Sequence, residues 1–466
     1  MRNPVTTLLC TTFLALTSSL FAAGQSPAKQ WPPAGGPPKA FHLPQVERFS
    51  LPNGLQVTLV PYGSIPKVRI NVAVRAGNLN ESASETWLAD LTGELMKEGT
   101  TSRSSQQVAQ EAASMGGSVE IGAGPDVTNI SADVLSEFGP KMVALLADVA
   151  EHPLLPGSEL ARLKQDLLRQ LSVQKSQSGA LARERFLKAL YPDHPYGRLL
   201  STEPIISSFD VQAVKKFYDE NFGAARTHIY VAGKFHSAAV KAAVTQAFSG
   251  WKRGPDPLIE IPKPVSNREV DLVDRPGAAQ STLYIGLSTI DPSNADYIPL
   301  QVMDSLLGGS FGSRITANIR EQKGYTYSPR SQISARYRDA YWAEVADVTT
   351  AVTEPSIKEI LYELDRLQKS PPSDAELDGI KNYLAGVFVL RNSSRDGLIA
   401  QLQYVDLHQL GDNYLDTYVQ KVYALTPQQV QEMAQKYILA DKLTIVVVGD
   451  KEKVAGQIAP YEKSGS

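Results

Sequence analysis

Trp87-Leu88-Ala89-Asp90-Leu91-Thr92-Gly93-Glu94-Leu95-Met96-Lys97-Glu98-Gly99-Thr100 reads as a helix closed by glycine, with Asp90 and Glu94 one turn apart on a single face. Upstream stand Leu51-Pro52-Asn53-Gly54-Leu55-Gln56-Val57 and a strand-like run ending Val72-Ala73-Val74-Arg75-Ala76-Gly77, and downstream stands Gly116-Gly117. Carboxylates at i, i+4 offer hard oxygen ligands without imidazole. The plainer interpretation is a solvated face whose two acids repel by roughly 0.2–0.5 kcal/mol. Histidine adds no ligand pair, because no two of His42, His152, His194, His228, His236 and His408 are four residues apart; surface or strand-end positions are expected for all six.

A second stretch carries more chemistry. Leu306-Leu307-Gly308-Gly309-Ser310-Phe311-Gly312-Ser313-Arg314-Ile315 leads into Ile319-Arg320-Glu321-Gln322-Lys323-Gly324-Tyr325-Thr326-Tyr327-Ser328. Ser313 is suited to cap a helix that turns Ile315 and Ile319 to the core, and Gly324 to supply its left-handed stop. Arg320 then lies near the helix end and Tyr327 on the following strand. A guanidinium gives paired donors for a carbonyl or carboxylate, and a phenol can donate to a developing oxyanion. The alternative is a helix-end cation and an ordinary strand aromatic. Gly308, Gly309 and Gly312 lack the Lys-Ser/Thr and the glycine order of nucleotide loops. A flexible turn that admits a substrate backbone is expected there instead.

The 466 residues are 42% hydrophobic and 20% charged with a net charge of −3. That is ample for two cores, and no basic stripe calls for a nucleic-acid partner. Arg2, the apolar run from Val5 to Phe21 and Ala22-Ala23-Gly24 form a secretory signal over residues 1–24, which predicts export, to the periplasm of a Gram-negative cell. Cys10, the single cysteine, lies in that signal, so a disulfide has no part in the mature chain. No later run of 18 apolar residues suggests a membrane span. Residues 25–43 are rich in proline and glycine and read as a linker.

The rest divides into similar halves. Asn221 to Gly233 and Tyr437 to Gly449 each read as a helix end, a β-rich run and a glycine, the glycines being 216 residues apart. Gly254-Pro255-Asp256-Pro257 and Ile261-Pro262-Lys263-Pro264 mark an interdomain linker over residues 254–268, between domains at 44–253 and 269–460. Phe138, Met142, Leu145, Leu146 and Val149 fall at helical spacing until Pro153, while Leu283–Leu287 and Leu443–Val448 read as buried strands. The class is α+β, each half a mostly antiparallel sheet packed with helices.

In order and spacing these segments resemble the pitrilysin/insulinase (inverzincin) zinc metallopeptidase family over residues 44 to 455. The resemblance implies a clam-shell of repeated domains. It also implies that Trp87–Thr100 fills the place of the zinc helix, where H-x-x-E-H supplies two imidazoles and a general base. Those positions hold Asp90, Gly93 and Glu94, and Gln170 stands where the later helix Leu160–Gln170 would carry the third ligand. By resemblance, then, this chain has no catalytic residue and no metal of its own. A partner subunit bearing H-x-x-E-H holds the zinc, as in family members that divide the labour between two chains. Arg320 and Tyr327, with Gly308 and Gly309, would bind the peptide substrate opposite it. Two other readings stand beside this one: a purely structural homologue, like the family's respiratory-complex core subunits, and a peptidase with an altered metal site.

Overall fold

The computed structural model describes residues 41–411 and 413–462. The signal segment and the linker as far as residue 40 lie outside the described residues. Two of the linker's last three residues are held: the Phe41 ring stands edge-on to Phe388 at 5.1 Å, and Leu43 N donates to Asp416 Oδ1 at 2.7 Å, while His42 is exposed.

Two sheets organise the chain. The first contains β1 (Glu47–Ser50), β2 (Gln56–Pro61), β3 (Lys67–Val74), β4 (Glu120–Ala123), β5 (Thr128–Leu135) and β6 (Thr227–Gly233) in the order β1-β2-β6-β3-β5-β4. The second contains β7 (Glu269–Asp274), β8 (Gln280–Thr289), β9 (Arg330–Arg336), β10 (Asp339–Thr349) and β11 (Thr444–Gly449) in the order β7-β11-β8-β10-β9. Without β1 the two orders are the same, and each sheet has one parallel pair, β2·β6 and β7·β11. The duplicated β-run-plus-glycine is the last strand of each sheet. β6 and β11 are hydrophobic nearly throughout because both of their faces are covered.

Helices cover the sheets because their sequences carry apolar faces at the helical period. Gly139–Glu151 turns Met142, Leu145, Leu146 and Val149 inward, and Ser104 with Gln107 forms a capping box that starts Ser105–Ser114. Each half also lends a helix to the other. Ser178–Leu190 lies on the second sheet, with Phe186 against Tyr284 and Tyr341 at ring distances of 4.7 and 5.4 Å. Gly286 on β8 permits this approach, since a Cβ there would stand 2.9 Å from Phe186 Cζ and 2.3 Å from the Trp342 carbonyl oxygen. Arg395–Leu407 lies on the first sheet, where Tyr230 donates to Asp406 at 2.8 Å and Arg395 Nε to Asp133 at 3.0 Å. Residues 254–268, between the sheets in sequence, contain no helix or strand.

Candidate functional site

The acidic helix begins at Leu88 and ends at Met96. Its first turn is capped from outside, because the Glu81 carboxyl accepts from Trp87 N at 3.1 Å and Ala89 N at 2.7 Å. Burial pushes Glu81 up to about 8 in spite of these donors. Asp90 is half-buried and accepts from Asn78 Nδ2 at 2.8 Å; desolvation raises its pKa as well. Glu94 turns out to solvent and pairs with Lys97 Nζ at 2.7 Å. Gly93 is buried, and a Cβ there would meet Ile121 at an ordinary 3.7 Å.

Asp90 and Gln170 line one cavity of about 320 Å3, which Glu94 does not enter. The four positions therefore do not converge. Among the described residues no three His, Cys, Asp or Glu side chains are arranged to hold a metal ion. The donor set, a carboxyl taken by an amide, a glycine, an acid paired to lysine and a glutamine, does not fit zinc.

His42, His152 and His236 are exposed and His228 lies at the start of β6, as expected, whereas two histidines depart from their expected placement. His194 and His408 are buried, and His228 sits between Thr58 Oγ1 at 2.7 Å and Tyr230 Oη at 3.0 Å. Desolvation holds His228 down at about 3 and His408 at about 4, so both are neutral structural rings.

The Arg320 segment folds as expected in outline. Ile315 and Ile319 are fully buried, Ser313 Oγ meets Thr316 at the start of the turn, and Gly324 takes φ +67° at its end. Thr316–Gln322 is wound wider than an α-helix, with Lys323 N bonded to Asn318 O five residues back. Arg314 clamps it to helix Asp374–Arg391 by a bidentate pair with Glu376 at 2.7 and 2.9 Å, and Asn318 donates to Glu359 and Glu363 of helix Thr353–Lys369.

On this anchored base the Arg320 guanidinium stands 4.5 Å from the centre of the Phe311 ring and 5.1 Å from that of Tyr327. Its Nε also lies 3.2 Å from Glu321 Oε1. The two rings are 70% and 80% exposed, so the stack projects from the surface. Tyr327 is not on a strand, contrary to expectation. It follows the single bridge Thr326–Val348 and precedes Pro329, which delays β9 until Arg330. Sequence reasoning missed Phe311. A lone aromatic between Ser310 and Gly312, with no periodic apolar neighbours, was the available signal for a ring outside the core.

Gly308 and Gly309 depart from the flexible turn expected of them. They end a wide-wound turn, Ser305–Gly309, packed on buried acids. A Cβ on Gly308 would lie 2.5 Å from Glu344 Oε2, and one on Gly309 would lie 2.7 Å from Asp304 Oδ2. Asp304 accepts from Trp342 Nε1 at 2.8 Å and from Ser331; burial lifts it to about 6 and lifts Glu344 well above the carboxylate range.

Two consecutive stretches match profiles of one peptidase family: residues 58–203 match "Insulinase (Peptidase family M16)" and residues 208–384 match "Peptidase M16 inactive domain". The chain is 22% identical over 398 residues to the uncharacterized zinc protease YmxG of Bacillus subtilis, covering 85% of this chain and 96% of that one. The peptidase M16 inactive domain from Pseudomonas fluorescens superposes with a TM-score of 0.80 at 25% identity, covering 87% and 98% of the two chains. The periplasmic protease PqqL of Escherichia coli superposes with a TM-score of 0.75 at 15% identity, but 92% of this chain spans only 49% of that one. By its paired sheets and these matches, the chain belongs to the pitrilysin/insulinase (M16) peptidase family.

Proposed function

We propose that this chain is the zinc-lacking, substrate-binding subunit of an exported, heteromeric metallopeptidase of its family. The observation that carries the reading is the separation of two constellations: the acidic helix offers no ligand set, while Arg320 is anchored between exposed rings and does not line the cavity beside Asp90 and Gln170. An exposed platform that does not line the cavity of its own acidic helix suits work on another chain's site. The fold match in which this chain spans half of a longer peptidase supports the same idea, since two such units then make one enzyme.

Arg320 holds a peptide carbonyl or carboxylate with its paired donors, its plane set by Phe311 and Tyr327. The Tyr327 hydroxyl would donate a hydrogen bond to a peptide oxygen that gains charge, the partner's zinc supplying the Lewis-acid chemistry when bound. Gly308 and Gly309 support the segment from below, next to Asp304 and Glu344. Export rests on the leader sequence; among the described residues no helix is long and apolar enough to cross a membrane.

The test is reconstitution with a homologue bearing H-x-x-E-H. The purified chain alone is expected to carry no stoichiometric zinc and to cleave no peptide, and chelator-sensitive hydrolysis is expected only on mixing. One zinc per chain, lost on changing Asp90 and Glu94, together with hydrolysis by the chain alone, would replace this reading with that of an altered-site peptidase.

A further inference from the structure

The cavity beside the degenerate helix is equipped for a charge opposite to that of a metal ion. Arg183 from helix Ser178–Leu190, Arg198 from the loop after Tyr196, and Arg336 at the end of β9 all line it. Asn78, Gln170 and Gln174 add amides, the two glutamines one turn apart on helix Leu160–Ser176. Asp90 is the one acid in the lining.

The arginines make no direct ion pair, although Arg336 acts at longer range on Asp126 and Asp339, whose carboxylates its charge favours. Among the described residues none of the three has a carboxylate oxygen within the 4 Å of an ion pair. The nearby acids are satisfied by neutral donors instead: Asp90 by Asn78, Asp126 by the Tyr196 hydroxyl and Asp339 by the Tyr191 hydroxyl. Arg183 Nε is buried without a hydrogen-bond partner, a costly state for a charged donor. Arg198 spends one nitrogen on the Glu81 carbonyl at 2.6 Å. Arg336 is steered by Ser334 Oγ at 3.3 Å and the Ala335 carbonyl at 3.0 Å, with its guanidinium 5.7 and 5.5 Å from the Tyr196 and Tyr341 rings. Three guanidiniums lining one cavity of about 320 Å3 rimmed by amides, Arg336 held against two rings and Arg183 Nε without a partner, match the fork geometry of a carboxylate.

We infer that the pocket at the degenerate zinc position binds a peptide carboxylate, with Arg183 and Arg336 as its principal donors and Arg198, Gln170 and Gln174 completing the cradle. The carboxylate is either the C-terminus of a peptide or an Asp or Glu side chain; both present the same planar pair of oxygens. This site goes beyond the proposed function and depends on neither a partner nor its metal. It gives the subunit a second hold on peptides, separate from Arg320.

The experiment uses the full mature chain without a partner and three fluorescent, otherwise neutral decapeptides: one with a free C-terminus, one amidated, and one amidated with an internal Glu. Saturable binding of the first or the third is expected, and which of them binds identifies the source of the carboxylate. The neutral amidated peptide should bind about ten- to hundredfold more weakly, and added salt should reduce the difference. Arg183→Gln should cost a similar factor. Gln174→Glu, which adds a like charge without removing any contact that the fold uses, should do the same while leaving the unfolding midpoint in place. Equal affinity for all three peptides, no saturable binding of either carboxylate peptide up to about 1 mM, or undiminished affinity in a folded Gln174→Glu variant would overturn the site. Failure of the partner hypothesis would leave every one of these measurements unchanged, because they are made on the chain alone.

Discussion

Replacing Gly308 with alanine separates a packed turn from a flexible one. The added methyl would stand 2.5 Å from Glu344 Oε2, 2.7 Å from Ser331 Oγ and 2.9 Å from Ser331 Cβ. Glu344 is fully buried, and Ser331 is tied to Asp304, so neither can swing into solvent. Overpacking of this kind costs about 1–3 kcal/mol. Gly312 is the internal control: its Cβ would meet nothing within 4 Å, so Gly312→Ala should be neutral or stabilise by about 0.4–1 kcal/mol through the unfolded chain. Urea unfolding followed by circular dichroism measures both, with the midpoint of Gly308→Ala shifted down at an unchanged slope. If Gly308→Ala were as stable as Gly312→Ala, the close packing on Glu344 would be refuted, and the glycine would have to be explained by what approaches it from outside.

In the reconstituted complex Tyr327→Phe should lower turnover by roughly 10- to 1000-fold with little change in stability, as for other single oxyanion donors. Arg320→Ala should chiefly raise KM, and wild-type kinetics in both folded variants would remove the pair from substrate binding. Arg314→Ala, which strands Glu376, should cost about 1–3 kcal/mol, and Arg314→Lys should not restore the bidentate pair; calorimetry of the three proteins decides. Asp304, raised from 3.8 to about 6, and Glu344, raised well above 4.5, both bind protons more tightly in the folded chain than in the unfolded one. Stability should therefore fall as pH rises through about 4 to 6 for Asp304, and further above that for Glu344, at no more than about 1.4 kcal/mol per unit per group. Glu344→Gln should flatten the upper part of that curve, and an unchanged pH profile would show that Glu344 is not the titrating group.

Most of the architecture was legible because it is written in local periodicity. The helix from Gly139 to Glu151, the strands around Leu283–Leu287 and Leu443–Val448, and the duplicated β-run ending in Gly233 and Gly449 announce themselves in spacing and turn residues. Arg320, Tyr327 and Asp90 could be singled out because side-chain chemistry at fixed spacing is a linear signal, whereas Gln170 could be singled out only through the resemblance to the family. Phe311 escaped, since a stacked ring in a glycine-rich loop has no period. His194 and His408 escaped for a related reason: what buries them comes from distant segments.

The sequence by itself determined the element types, the duplication and the residue chemistry at each motif position, because these depend on neighbours within a few turns of chain. The tertiary structure alone decided what those residues face. It set Gly308 and Gly309 against Glu344 and Asp304, sent Glu94 to Lys97 while Asp90 kept to the cavity, and held Arg320 between two rings. It also brought Arg183, Arg198 and Arg336, far apart in the chain, around one pocket without a carboxylate partner. Desolvation and ion pairing act through space over a few ångströms, and only the crossing of each half's helix onto the other half's sheet fixes which distant groups come within that reach.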